Sequence, residues 1–218
     1  MLHITVDALR GDLPGRCSHL FGDGGFRYLM NQGVHYTNAH YQHANTETIV
    51  GHVSLATGTV PAAHGMVGNV WFDRELIHTK GLEQAEVEEA VAEELVKFDG
   101  VAAAVSSTAL RTASLPDTLL MRAILRNFHP DRSGDIYVVF DPNVFITDFD
   151  GLTVASTHGS PWRYDTFVPV MFTGAGLKAR TVSRPITPYD VAPTLANVLG
   201  VKPPSGAIGN PLVEVVGH

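Results

Sequence analysis

The sequence has a single cysteine, Cys17, which excludes an intramolecular disulfide and any C-x-x-C metal knuckle. It has no stretch approaching the roughly 18 apolar residues of a membrane span. Met1 to Leu9 carries neither a basic n-region nor a long apolar h-region, so no export signal is expected in this chain. Basic residues are scarce, 15 Lys and Arg against 22 Asp and Glu, and they form no cluster. With a formal charge of −7 and a pI near 5.8, neither a nucleic acid polymer nor a membrane is an expected partner. Small anionic substrates stay open, provided that a metal supplies positive charge. What remains is a chain of 218 residues, 44% hydrophobic and 17% charged, long enough to bury the core of one domain. Cys17 reads as structural.

The chemistry concentrates in His43 to Trp71, H-A-N-T-E-T-I-V-G-H-V-S-L-A-T-G-T-V-P-A-A-H-G-M-V-G-N-V-W. Thr46 or Thr48 stands just before Ile49, Val53 and Leu55, where a loop enters a helix. A hydroxyl there lies beside unpaired backbone N–H groups and the positive end of the helix dipole, which together favour a bound anion such as phosphate. Simple capping of the helix is the plainer reading of the same residue. Upstream, Leu2 to Val6 has the β-branched character of a buried strand that ends at Asp7, making Asp7 either a metal ligand at a strand's C-terminal end or a turn-opening cap.

Other segments supply an α/β alternation. A short helix over residues 24 to 32 is stopped by Gly33, and a strand follows at Val34 to Ala39. His78 to Phe98 reads as a charged amphipathic helix with Val87, Val91, Leu95 and Phe98 on one face. Further on come a strand from Val101, a helix around Leu115 to Leu125, a turn at Asp131 to Asp135, a strand to Phe140 and a short strand at Leu152 to Ser156. Val168 to Thr173 is a continuous apolar strand, and a helix beginning at Asp190 is stopped by Gly200. Expected core residues include Ile4, Val6, Val53, Leu55, Val105, Val138, Val139, Val168, Val170 and Leu195.

Taken together, V-D-A-L-R-G-D, G-V-H-Y-T-N-A-H and T-x-x-G-H-x-S-L-A-T-G-T-x-P-x-x-H-G-M-V-G-N-x-W resemble the alkaline phosphatase superfamily. More narrowly they resemble its phosphomonoesterases and type I phosphodiesterases/nucleotide pyrophosphatases with a threonine nucleophile. S-T-H-G-S-P-W-R-Y-D and the segment from Arg184 to Gly206 are similar to the family's closing part. The resemblance implies a three-layer α/β sandwich, a mostly parallel sheet with helices on both faces, shortened here. It implies a zinc pair, with Asp7 and Thr48 at one zinc and His158 at the other. Thr48 is then the nucleophile, Asn69 a donor to a phosphate oxygen, and the substrate a small phosphate ester. It assigns no ligand role to His52 or His64, which read as structural. It also suggests a periplasmic or exported setting.

One part of the family pattern is absent. Residues 72 to 157 contain neither the Asp-x-x-x-His pair nor the Asp-His pair that the resemblance calls for. The chain reads as one domain, 1–218, made of two family blocks, 1–73 and 79–218, joined at an internal deletion. Asp141, Asp148, Asp150, His40 and His43 are the available substitutes, none in a recognisable ligand spacing. Arg132 could meet an anion. Two functional classes follow: a zinc-dependent phosphoric-ester hydrolase working through a phosphothreonine, or a catalytically inactive, anion-binding protein of the same fold.

Overall fold

In a computed structural model the chain is described at residues 1–67, 70–146, 148–149, 152–153, 156–174 and 176–217, with backbone alone at 148, 149, 152 and 153. It divides into two compact units, each assembled from separate stretches of sequence.

The first unit comprises residues 1–42, 48–60 and 163–218. Its centre is strand Val34–His40, paired antiparallel with Phe167–Phe172 on one edge and parallel with Arg180–Val182 on the other. The side-chain period of two sends Val34 and Tyr36 inward, both fully buried with Ala39, Val170, Ile186 and Leu212. The strand can start where it does because Gly33 has no side chain. A Cβ there would stand 2.4 Å from the Phe172 carbonyl oxygen and 2.6 Å from that of Leu29, the last turn of helix Gly25–Gln32. Helices Thr48–Thr57 and Val191–Leu199 pack together in this unit, and Gly200, at φ 66°, ends the latter in the left-handed conformation that glycine adopts at little cost.

The second unit comprises residues 43–47 and 61–162. Val101–Ser106 pairs antiparallel with Ile136–Phe140, helix Gln84–Leu95 packs on this ribbon, and helices Ser107–Thr112 and Leu119–Asn127 complete it. Val105, Leu110, Ile124, Phe128 and Val139 form its core with Ala44. A two-residue ladder joins Asp148–Phe149 to Leu152–Thr153.

The α/β class stands, with several expectations corrected. Three of the four strand pairings are antiparallel and the strands form separate small sheets among the described residues, so a mostly parallel sheet is not what forms there. Leu2 to Val6 is not a strand: no ladder partner lies beside it among the described residues, and Ile4 and Val6 are 69% and 48% exposed instead of core. The charged helix is two helices, Arg74–Thr79 and Gln84–Leu95, because Gly81 takes a φ of 65° between them; Phe98 falls outside and is exposed. The rest of the expected core is buried or partly buried.

Two carboxylates are wholly buried in the second unit. Glu88, on the inner face of Gln84–Leu95, accepts hydrogen bonds from Ser107 Oγ, Thr108 Oγ1 and the Thr108 N–H at 2.9 to 3.2 Å, and from Gln84 Nε2. Asp135 accepts from Phe72 N at 2.7 Å, Arg74 Nη2 at 2.8 Å and Gln84 Nε2 at 3.1 Å. A buried charge is tolerated only when its lone pairs are met this fully. The bonds to Asp135 hold residues 72–74 to the edge of the ribbon, beside the Asp135 N to Val70 O bond of 2.7 Å.

Glu88→Ala leaves these donors without an acceptor and opens a void, and is expected to cost about 2–4 kcal/mol; Glu89→Ala, at an exposed position of the same helix, should stay within about 0.5 kcal/mol. Comparing urea midpoints of the two variants checks this, and similar midpoints contradict it. His43 is fully buried, and burial with neighbouring His64 lowers its pKa from 6.5 to about 3. The unfolded chain therefore binds a proton that the folded chain refuses, and stability is lost as pH falls from about 6.5 towards 3, by up to about 1.4 kcal/mol per unit. Urea titrations at pH 7, 6 and 5 should show that slope, reduced in His43→Leu.

Candidate functional site

Helix Thr48–Thr57 begins at an exposed Thr48, and its backbone is braced within the first unit by Tyr41 Oη donating to Gly51 O at 3.1 Å. Thr46, the other candidate, is buried and its hydroxyl donates to Ser160 O at 3.1 Å, so it is committed to structure. Thr48 therefore presents the hydroxyl at the loop-to-helix entry.

That hydroxyl donates to Asp7 Oδ2 at 2.8 Å. Asp7 reaches it from a turn, not from a strand end. Ala8 has a φ of 52°, an uncommon left-handed conformation for a residue with a side chain. The turn is tied down by Gly11 N donating to Phe167 O at 2.9 Å, where a Cβ on Gly11 would meet the Phe167 ring at 2.6 Å. Arg10 grips Asp12 through two hydrogen bonds of 2.6 and 2.9 Å. Two residues 41 positions apart thus meet as a hydroxyl and a carboxylate, a pair suited to proton transfer or to sharing one cation.

His158 lies half-buried in the second unit, in a loop fastened to the residues that lead into Thr48. Thr46 N donates to Gly159 O at 3.3 Å, Thr46 Oγ1 to Ser160 O, and a Cβ on Gly159, at φ 123°, would crowd Glu47 Cγ at 3.0 Å. Asn69 lies outside the described residues, as do Asp150 and the Asp148 side chain. His64 Nδ1 accepts from Met66 N at 3.2 Å and burial lowers its pKa, which suits a structural, neutral imidazole, whereas His52 is exposed. His40 is lowered too, by burial and then by Arg163, and it stacks on Phe167 with centroids 4.9 Å apart.

The donor set does not fit the expected zinc pair. Asp7 and Thr48 supply two oxygens, whereas a catalytic zinc takes about three protein ligands. Among the described residues no group of three or more His, Cys, Asp or Glu could hold a metal ion.

Sequence reasoning missed two features of the second unit. Asp135 reads as the end of a turn between helix and strand, and the structure buries it fully; its place just after Gly134 and before an apolar strand was the available signal. Arg132 lies along Gly65 in the motif H-G-M-V-G-N, a packing that no spacing announces.

Comparison with known proteins bears on the same residues. The sequence model of the family described as type I phosphodiesterase / nucleotide pyrophosphatase matches residues 1–79. A Myroides odoratus protein named calcium-transporting ATPase is 35% identical over 147 residues, covering 67% of this chain and 26% of its own length. Alkaline phosphatase PafA of Elizabethkingia meningoseptica is 31% identical over 157 residues, covering 72% of this chain and 28% of its own. The chain thus spans little more than a quarter of these relatives. The crystal structure of wild-type alkaline phosphatase PafA superposes with a TM-score of 0.60 at 28% identity, over 78% of this chain and 32% of that one. Matching sequence and a shared fold agree: the chain belongs to the alkaline phosphatase superfamily.

Proposed function

We propose that the chain acts on small phosphoric esters, as a phosphomonoesterase or phosphodiesterase, with Thr48 as nucleophile. The observation that carries this reading is the 2.8 Å hydrogen bond from Thr48 Oγ1 to Asp7 Oδ2 at the start of a ten-residue helix. A threonine hydroxyl is a weak nucleophile at neutral pH, and a carboxylate in contact with it both orients the attacking lone pair and accepts the proton.

In this reading Thr48 Oγ1 attacks phosphorus in line with the ester oxygen. The Oγ1–P bond forms as the P–O ester bond breaks, the hydroxyl proton passes to Asp7, and the leaving oxygen takes a proton from water. The hydroxide so formed attacks the phosphothreonine, the Oγ1–P bond breaks, and Oγ1 takes back the proton held by Asp7, releasing the phosphoryl group on the incoming oxygen. The N–H groups and dipole of the helix's first turn favour the charge on the equatorial oxygens, and the Asn69 amide is proposed as a further donor. The family resemblance calls for two zincs, Asp7 and Thr48 toward one and His158 toward the other; neither set reaches the roughly three protein ligands of a catalytic zinc, so no step of this reading runs through the metal. An exported setting belongs to the same proposal, as does descent through an internal deletion between residues 73 and 79. No described helix is long and apolar enough to cross a membrane.

The second reading is an inactive, anion-binding protein of the same fold, favoured by the lack of a three-ligand group among the described residues. Hydrolysis of an aryl phosphate and an aryl phosphodiester by zinc-supplied protein separates the two. In the enzyme reading Thr48→Ala lowers turnover roughly a thousandfold or more and Asp7→Asn roughly a hundredfold or more. Equal background in wild type and Thr48→Ala, with zinc present, selects the anion-binding protein.

A further inference from the structure

We propose that Phe167 is a positioning residue for the nucleophile: its ring and its carbonyl, acting through Gly11, set where Asp7 meets Thr48. This rests on the hydrolase reading above, and all the residues concerned belong to the first unit. Asp7 has no helix or strand of its own to hold it. Leu2 to Val6 forms no strand, Asp7 and Ala8 make a turn, and Ala8 sits at a φ of 52°. The residues that follow are braced among themselves, by the Arg10 fork on Asp12, by Arg16 Nη1 at 3.5 Å from Asp12 Oδ2, and by Leu13 N donating to Arg10 O at 3.1 Å. Local bonds of this kind shape a turn, but they do not place it against a helix that starts 41 residues from Asp7.

The bond from Gly11 N to Phe167 O, at 2.9 Å, ties the turn to strand Phe167–Phe172, and the Phe167 ring makes that anchor a fitted one. Gly11 is buried, and a Cβ on it would lie 2.6, 2.7 and 2.8 Å from Cε2, Cζ and Cδ2 of the ring. The backbone therefore approaches the ring more closely than any residue with a side chain permits. The ring is itself held. His40, its register partner across the ladder, stacks on it with 4.9 Å between centroids and 18° between planes, and the Arg163 guanidinium carbon stands 5.6 Å from its centroid. Contact thus runs from the sheet to Phe167, from Phe167 to Gly11, and along the turn to Asp7, whose Oδ2 takes the Thr48 hydroxyl at 2.8 Å. A displacement of about 1 Å at that hydrogen bond is enough to cost roughly a hundredfold in rate.

Gly11→Ala sets a methyl group against the ring and is expected to lower kcat for an aryl phosphate roughly 10- to 100-fold, with KM within about twofold. Phe167→Ala, which releases the turn instead of crowding it, should lower kcat by a similar factor. Adding Phe167→Leu to Gly11→Ala makes room for the methyl group and should return part of the lost kcat, a recovery that two independent losses do not give. Phe172→Leu is the control for general damage: it removes a ring from the same strand, edge-on to Tyr36 with centroids 6.2 Å apart, and should lower the urea midpoint while leaving kcat near wild type. Crystal structures of the variants give a readout that needs no turnover. Thr48 Oγ1 and Asp7 Oδ2 should separate beyond hydrogen-bond reach in Gly11→Ala and return within it in the double variant. An unmoved pair in Gly11→Ala overturns the proposal, and so does a double variant without recovery. Thr48-dependent turnover with an unmoved pair keeps the hydrolase and removes the positioning role; a pair that moves and returns, without any Thr48-dependent turnover, keeps the positioning role and removes the hydrolase.

Discussion

Strand Val34–His40 is bonded on both edges, and the first unit depends on that double ladder. Each buried residue along it is fixed in register by a neighbour on either side, so the chain leaves at His40 in a defined direction. The antiparallel partner Phe167–Phe172 also supplies the carbonyl and the ring against which Gly11 closes the turn that carries Asp7. The contact between Asp7 and Thr48 is thus a consequence of sheet pairing elsewhere. Neither residue's own segment could produce it, since Leu2 to Val6 forms no strand.

In the second unit, buried charge does comparable organising. Glu88 and Asp135 share the Gln84 amide, at 2.6 and 3.1 Å, and between them draw in Phe72, Arg74, Ser107 and Thr108. Such carboxylates are costly to bury and costly to leave half-met, so each specifies its partners closely. Residues 72–74 are knit into the ribbon by these bonds, with Asp73 capping the following helix through Leu76 N at 2.9 Å.

The family's fold and motifs are present, and so is a polarised threonine hydroxyl; a group of three metal-ligating side chains is not, among the described residues. A threonine hydroxyl at a helix N-terminus suits an oxyanion. Phosphate recognition is what the two proposed readings have in common, and turnover is what divides them.

Much was legible in the sequence. Helix Gly25–Gln32, strand Val34–His40, the ribbon strands and helix Val191–Leu199 with its Gly200 stop follow from periodicity and punctuation, which act over a few neighbouring residues. The motif around Thr48 marks the candidate nucleophile for the same local reason. Tertiary structure alone decided the rest. Strand direction depends on which edges meet, and so most pairs came out antiparallel. Burial of Glu88 and Asp135 depends on donors 19 to 63 residues away, which no local pattern encodes. The family resemblance already put Asp7 with Thr48; that their side chains touch, and that Thr46 is committed elsewhere, came from hydrogen bonds spanning 41 and 114 residues. Local sequence determined which segments could be helix or strand and which side chains had the right chemistry; only the folded chain could determine which of those side chains touch.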